Sequence, residues 1–300
     1  MPKPRRGPAM PDARARRIVR KIVEDYFGAK PRRMHRQGGG LSNVVFAVEV
    51  DSSECIVRLK PEPSTVNPFL REQWATGKAR AAGVPVPEIL EVGTAPLPYM
   101  IVRKASGEPA TDRCRDSLQI LEQLGRYGAR INGIPASGFG SSSDWGKFLD
   151  DELNLERRLR ILARHRMLPP AKLDRIRKIL KRPGKGRRPA LNQGDLRLKN
   201  VLVDFNGRIT AILDWENCSS NIAPEWDLSI ALHDLSIDGK EAFIRGYGIS
   251  SKALSAIAPT IKALNVVNYV ADVERLVEED PGKLAHYRNR LHGDLDLYSF

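Results

Sequence analysis

Hydrophobic residues recur at helical intervals over residues 12–28, which predicts an N-terminal helix. After this helix, two short apolar runs rich in β-branched residues follow over 44–50 and 55–59, separated by Asp51-Ser52-Ser53. Two such runs behind a glycine-rich turn predict a β-hairpin. Because side chains alternate along a strand, Ile56 and Arg58 share one face of the second strand.

Further short elements follow the hairpin. Asn67-Pro68 is typical of a helix start, since Asn caps the first turn and Pro fits the first helical position. The helix is expected to end near Gly83. Short apolar runs over 89–93 and 99–102 predict two more strands. A polar connector with Gly and Pro occupies 104–109, and we place a lobe boundary there.

Beyond about residue 115 the apolar pattern becomes helical. Helices are predicted over 144–166 and 170–181. Two strands between 201 and 213 turn at Asn206-Gly207, which is a strong hairpin signal. The chain from residue 224 onward is mostly helical in pattern. The fold class predicted is therefore α+β, with a β-rich N-terminal lobe and a mainly helical C-terminal lobe.

Composition narrows the class of protein. The chain has 300 residues and three cysteines, which suggest neither a disulfide framework nor a zinc site. Its apolar stretches are too short for a membrane helix, and the basic N-terminal residues lack the apolar region of a signal peptide. We therefore expect a cytoplasmic protein without a membrane partner.

The formal net charge of +13 is unevenly distributed. Residues 1–36 and 157–188 are strongly basic, whereas the rest of the chain is acidic overall. Three readings are open for these two segments: solvated helical faces, a polyanion-binding surface, or contacts with the acidic remainder. Segment 157–188 has no aromatic residue for base stacking, which argues against nucleic acid.

The stretch most informative about chemistry contains Asp195, Asn200 and Asp214. Asn200 immediately precedes the first strand of the predicted hairpin, and Asp214 follows the second. A hairpin brings these two positions together, with Asp195 in the loop just before. Carboxylate and amide oxygens suit Mg²⁺. Phosphoryl transfer needs such metal ligands and a carboxylate that accepts the proton of a hydroxyl.

At these residues the sequence resembles the aminoglycoside phosphotransferase family, the small-molecule branch of the protein-kinase-like fold. Its His-Gly-Asp-x4-Asn loop and Ile-Asp-Trp-Glu segment are similar to residues 193–200 and 212–216. The resemblance extends over roughly residues 30–250. Residues 39–43 resemble the family's nucleotide-covering turn, and residues 99–109 resemble its hinge. Asp227 corresponds to an Asp that usually braces the catalytic loop.

The resemblance implies an ATP-dependent kinase of small molecules. Asp195 would be the catalytic base, and Asn200 and Asp214 would hold Mg²⁺. The residues implied in nucleotide binding belong to the glycine turn, the third strand and the following helix: Gly39, Gly40, Ser42, Asn43, Arg58 and Glu72. The domains expected are a basic arm and helix (1–28), a nucleotide-binding lobe (29–104) and a helical lobe with the catalytic loop and metal-binding hairpin (105–300).

Three departures from the family pattern bear on activity. Gln193 replaces the usual His, and an amide could take over its hydrogen bond to the backbone. Arg197 and Lys199 add two cations near Asp195, facing the carboxylate, phosphate or solvent. Arg58 stands where the family usually has a phosphate-binding Lys; Lys60, on the same strand face, is the alternative.

The acceptor is expected to be a small-molecule hydroxyl, aminoglycoside-like or another amino or sugar alcohol. Acidic residues near the C terminus suit a cationic acceptor or form a solvated face. Two rival functions stay open: a nucleotide-binding pseudokinase, and a polyanion-binding protein using residues 1–36 and 157–188.

Overall fold

The computed structural model groups the chain into two compact units. The sheet unit comprises residues 2–114 and 198–216, and the helical unit comprises residues 115–197 and 217–300. The residues that the structure describes are 10–38, 43–64, 66–113, 117–135, 145–182, 189–233 and 235–296. Within them, no helix is long and apolar enough to cross a membrane.

A five-stranded antiparallel sheet forms the centre of the sheet unit. Its strands are β1 (Arg33–Gln37), β2 (Val44–Val50), β3 (Ser53–Leu59), β4 (Ile89–Gly93) and β5 (Tyr99–Arg103), in the order β1-β2-β3-β5-β4. Helix α1 (Asp12–Phe27) packs on one face, where Val19 and Ile22 meet alternate side chains such as Phe46 and Val57. Arg58 lies on the other side of β3, as the alternation predicted.

Helix α2 (Phe69–Ala81) begins where the sequence predicted. The Asn67 side chain accepts a hydrogen bond from the Phe69 amide at 3.0 Å, which caps the first turn. Buried positions of α2 include Glu72, Ala75 and Ala79. The helix therefore turns an acidic side chain inward among small apolar ones.

A second sheet belongs to the same unit although part of it comes from far along the chain. Its strands are β6 (Glu108–Pro109), β8 (Val201–Val203) and β9 (Ile209–Ile212). The β8–β9 hairpin is the one predicted at Asn206-Gly207. It is tied to the first part of the chain by hydrogen bonds from Ile212 N to Pro85 O (2.8 Å) and from Thr210 Oγ1 to Ser106 O (2.6 Å).

The helical unit contains nine helices and one two-stranded sheet among its described residues. The helices are α3 (Ser117–Asn132), α4 (Trp145–Lys147), α5 (Leu155–Arg164), α6 (Pro170–Leu180), α7 (Glu225–Ala231), α8 (Ile237–Tyr247), α9 (Ser251–Asn268), α10 (Val270–Glu279) and α11 (Leu284–Asp296). Strands β7 (Ala190–Asn192) and β10 (Ser219–Ile222) pair antiparallel. Leu159, Ile176, Leu264 and Val273 contribute to a large apolar core shared by α5, α6, α9 and α10.

Glycine permits a very close contact between α3 and α8. A Cβ atom at Gly125 would overlap the Phe243 carbonyl, and one at Gly246 would overlap the Glu122 carbonyl. The two helices thus approach backbone to backbone. Near the end of α3, the two helices are also joined by the hydrogen bond from Tyr247 to Asn132.

The helix predicted over 144–166 is interrupted. Residues Phe148–Glu152 form a π-helical turn, and Asn154 adopts a left-handed conformation (φ 52°) before α5 begins. Leu153 and Leu155 are both buried. Side chains two positions apart cannot both lie on one face of a continuous helix. The left-handed turn at Asn154, a conformation that Asn tolerates, lets both leucine side chains point into the core.

Several cations of the basic helices α5 and α6 form ion pairs or hydrogen bonds within the helical unit. Arg157 pairs with Glu274 at 2.5 Å, and the half-buried Arg158 donates to the carbonyls of Leu153 and Val267. Glu156 binds both Arg177 and Lys181. The exposed cations on this surface that have no ion pair with a described residue are Arg160, Arg164, Arg166, Arg175 and Lys178.

Candidate active site

Asp195 lies in the loop that follows β7 in the helical unit, and it is 6% exposed. The preceding Gly194 has φ 87°, a conformation that favours glycine. A Cβ atom there would also overlap the Asn217 carbonyl. The turn that presents Asp195 therefore requires glycine at position 194.

Asp227 holds this loop from within the helical unit. Its two carboxylate oxygens accept hydrogen bonds from the amides of Gln193 and Gly194, both at 2.8 Å, and Asn132 adds a third at 3.1 Å. Tyr247 donates to Asn132 Oδ1 at 2.9 Å. Burial raises the pKa of Asp227 to about 6, although these hydrogen bonds favour the ionised form. The prediction that Asp227 is a buried brace is confirmed.

Gln193 makes the backbone hydrogen bond that was expected of it. Its Oε1 accepts from the Asp195 amide at 2.7 Å, and the side chain is fully buried. Of the three orientations considered for Arg197, the structure shows the one that faces the carboxylate. Its guanidinium binds Asp195 Oδ1 through both Nε and Nη2. Lys199 is exposed. One of the two additional cations thus contacts the carboxylate directly.

Asn200 and Asp214 are brought together by the β8–β9 hairpin of the sheet unit. The Leu213 amide donates to the Asn200 carbonyl at 2.7 Å, so the residues before and after the hairpin are adjacent. Asp214 has φ 58°, an uncommon left-handed conformation for a residue with a side chain. Asn200 is buried and Asp214 half-buried.

The residue types at this pair fit magnesium. Among the described residues, no group of three or more His, Cys, Asp or Glu side chains could hold a metal ion. One carboxylate and one amide oxygen nevertheless suit Mg²⁺, which usually keeps several waters and takes few protein ligands. Substrate phosphates complete such sites.

The face of β3 opposite the α1 core carries an ionic network. Arg58 donates to Glu72 at 2.5 Å, which joins the strand to α2, and lies 3.5 Å from Glu216. Glu216 also accepts from Asn43 Nδ2 at 3.2 Å. Burial raises the pKa of Glu72, and the Arg58 charge opposes this shift. Asn43 Oδ1 is buried without a hydrogen-bond partner, which leaves one acceptor for a ligand.

The structure thus assembles the predicted site residues in two groups. Asp195 belongs to the helical unit, whereas Asn43, Arg58, Glu72 and the Asn200–Asp214 pair belong to the sheet unit. Gly39, Gly40 and Ser42 lie outside the described residues.

Three residues make supporting contacts that spacing along the chain does not indicate. Asn132 and Tyr247 complete the hydrogen bonds around Asp227. Glu216 accepts a hydrogen bond from Asn43 and pairs with Arg58.

Two further residues have structural surroundings. The His233 side chain is half-buried, and its ring is tilted against that of Tyr269, with centroids 4.5 Å apart. Cys218 is fully buried.

The fold and these motifs define a protein-kinase-like phosphotransferase. A sequence profile described as the Phosphotransferase enzyme family (APH) matches residues 34–259. Since this is well over half of the chain, the chain belongs to that family and is an enzyme of the phosphotransferase class. No curated protein sequence matches significantly.

Solved structures support the same fold. A thermostable mutant of aminoglycoside phosphotransferase APH(4)-Ia has a TM-score of 0.69 at 19% identity, covering 93% of this chain and 99% of the other. Macrolide 2'-phosphotransferase MphH from Brachybacterium faecium has a TM-score of 0.63 at 17% identity, with coverages of 94% and 98%. A choline/ethanolamine kinase family protein from Mesorhizobium loti has a TM-score of 0.65 at 19% identity, with coverages of 96% and 94%.

Proposed function

We propose that the enzyme transfers the γ-phosphoryl group of ATP to a hydroxyl group of a small molecule. Asp195 is the base, and Asn200 and Asp214 are the metal ligands. Asn43, Arg58 and Glu72, together with Gly39, Gly40 and Ser42, form the nucleotide side of the site. One of the similar structures, a variant of APH(4)-Ia, is described as a ternary complex with ADP and hygromycin B.

The observation that carries this proposal is the pairing at the open end of the β8–β9 hairpin. There the 2.7 Å hydrogen bond between Leu213 N and Asn200 O brings Asn200 next to the residue that precedes Asp214. Bound Mg²⁺ would supply charge neutralisation of the phosphate oxygens. The left-handed backbone of Asp214 fits this role, because residues in uncommon conformations often cluster at functional sites.

Asp195 is the proposed proton acceptor, and Arg197 holds its carboxylate through Oδ1. The acceptor hydroxyl would donate a hydrogen bond to this carboxylate and lose its proton to it as the hydroxyl oxygen bonds to the γ-phosphorus and ADP leaves. The brace on Gly194 and the Gln193 side chain hold the carboxylate in place for this step.

The acceptor need not be a polycation. The acids near the C terminus, which could attract a cationic acceptor, are mostly neutralised: Glu274 binds Arg157, Asp272 and Glu279 bind Arg275, and Asp280 binds Lys283. Neutral and anionic hydroxyl compounds therefore belong among the candidates beside aminoglycosides.

The test is ADP release from Mg²⁺·ATP over a panel of hydroxyl acceptors. The panel includes hygromycin B, macrolides, choline, ethanolamine, homoserine and simple sugars. We expect an acceptor whose turnover is lost in Asp195→Asn and kept in Asp150→Asn, which changes an exposed acid of the same unit.

Other outcomes would favour the rival functions. ATP that raises the melting temperature without any turnover would favour the pseudokinase. If ATP has no effect and the protein binds RNA with a steep salt dependence, the polyanion-binding function would replace the kinase proposal.

A further inference from the structure

The Arg197 guanidinium uses one of its edges on Asp195 and presents another to solvent. Nε and Nη2 both donate to Asp195 Oδ1, the Nε bond at 2.5 Å. A guanidinium group carries five N–H donors, and two of them are used here. Nη1 makes no hydrogen bond or ion pair with any residue that the structure describes. The side chain is 38% exposed, so the remaining edge is accessible to a ligand.

The place of this guanidinium is determined by its neighbours in the loop. Asp195 is buried, and its amide donates to Gln193 Oε1 at 2.7 Å. Leu196 is also buried and packs against α3, where a Cβ atom at Gly128 would come within 3.0 Å of its side chain. Arg197 thus follows two buried residues of the helical unit, and its hydrogen bonds to Asp195 hold the cation beside the carboxylate.

The remaining edge of Arg197 suits a second anion. An arginine binds a carboxylate or a phosphate through two parallel N–H···O bonds from one edge. The Nη1–Nη2 edge has this form, and among the described acids only Asp195 pairs with Arg197. An acceptor hydroxyl that hydrogen-bonds to Asp195 lies within about 3 Å of the carboxylate. Groups next to that hydroxyl are then within reach of the same guanidinium.

We propose that Arg197 binds an anionic group, a carboxylate or a phosphate, that the acceptor carries a few bonds from its reacting hydroxyl. The inference rests on the proposed function and narrows the acceptors to hydroxy acids and phosphorylated alcohols. Arg197 binds the base with one edge and the acceptor with another. Because the group is planar and rigid, this double contact orients the hydroxyl towards Asp195.

Pairs of acceptors that differ in one anionic group test the inference by ADP release from Mg²⁺·ATP. Homoserine is compared with homoserinamide, and glucuronate with glucuronamide, because each amide keeps the hydroxyl groups and shape of its acid. Glycerol 3-phosphate and glycerol test a phosphate in place of the carboxylate. In at least one pair, kcat/KM of the wild type should be at least about tenfold higher for the anionic member.

Variants of Arg197 should change this ratio. In Arg197→Met it should fall to within about threefold of one, and Arg197→Lys should recover part of it, because lysine keeps the charge without the second edge. Arg160→Met removes an exposed arginine of α5 and should leave the ratio unchanged. Melting temperatures verify that each variant is folded.

The ratio separates recognition of the acceptor from other effects of the substitution. Loss of the hydrogen bonds to Asp195, or of a contact with the nucleotide phosphates, would lower the turnover of both members of a pair alike. A ratio that Arg197→Met leaves unchanged would overturn the inference, as would a wild type that phosphorylates only uncharged or cationic acceptors. A wild type that phosphorylates no acceptor of these pairs or of the panel above would instead overturn the proposed function itself.

Discussion

Replacing Asp227 with alanine removes the brace beneath the loop that carries Asp195. The change leaves two buried donors, the Gln193 and Gly194 amides, without this acceptor. The half-buried Asn132 side chain loses one hydrogen bond and keeps the one to the Leu191 carbonyl. A buried donor that loses its partner costs about 1–3 kcal/mol, so two such losses total about 2–6 kcal/mol, and the lost Asn132 bond adds up to about 1 kcal/mol.

The buried charge of Asp227 offsets part of this loss. Its folded pKa of about 6, against 3.8 for the free group, corresponds to about 3 kcal/mol of destabilisation at neutral pH. Alanine removes that cost. Subtracting this cost leaves a net loss of about 0–4 kcal/mol, and we expect Asp227→Ala to lose about 2 kcal/mol at pH 7.5. The melting temperature should fall by about 4–8 °C.

The difference between the two proteins should widen in acid. Because the folded pKa of Asp227 is raised, the folded wild type binds a proton that the unfolded chain releases between about pH 4 and pH 6. The stability from this proton is complete below the unfolded pKa and is lost as the pH rises through 6. It should add about 1.4 kcal/mol to the gap between pH 7.5 and pH 5.

Melting curves at pH 7.5, 6 and 5 measure both effects. Asp174→Ala removes an exposed acid bound to Arg177 in the same unit and should change stability by less than about 1 kcal/mol at each pH. A variant Asp227→Ala that melts within 2 °C of the wild type at pH 5, or a gap that narrows in acid, would contradict the assigned hydrogen bonds and burial.

Three further predictions concern packing, backbone strain and reactivity. Gly125→Ala should lower the free energy of unfolding by about 1–3 kcal/mol, because its Cβ would overlap the Phe243 carbonyl. Gly77→Ala, in open space on α2, should raise it by about 0.5–1 kcal/mol. Denaturant midpoints of the two variants measure this difference. Asp214→Gly should be more stable than Asp214→Ala by about 1 kcal/mol, because φ is 58° at this position and glycine adopts that conformation without strain. Both variants should lose phosphoryl transfer, and equal melting temperatures would argue against strain at Asp214. Burial raises the pKa of Cys55 to about 11, so its alkylation at pH 8, followed by mass spectrometry, should require unfolding, and rapid labelling of the native protein would contradict its burial.

Local signals in the sequence predicted much of the fold. Asn206-Gly207 identified a hairpin because a two-residue turn of this type needs no distant contact. Strand β1 was missed because Arg33–Gln37 has little apolar alternation, and its pairing with β2 alone makes it a strand. The interruption at Asn154 was missed because its cause is burial of the flanking leucines.

The candidate site shows the same division. The order of Asn200 and Asp214 relative to a hairpin predicted from spacing alone that the two positions meet, and the hydrogen bond from Leu213 N to Asn200 O confirms this. Sequence spacing could not show that Arg197 binds Asp195 Oδ1, or that Glu216 joins Asn43 to Arg58. Those contacts depend on side-chain orientation, which many distant residues determine together.

The composition of the sheet unit has a consequence for synthesis of the protein. Residues 198–216 complete this unit, yet more than eighty residues of the helical unit are translated before them. Until they leave the ribosome, Ser106 and Pro85 lack the partners that Thr210 and Ile212 provide. The N-terminal segment therefore cannot reach its final structure as a nascent chain, and a fragment ending near residue 114 should behave as an incomplete folding intermediate.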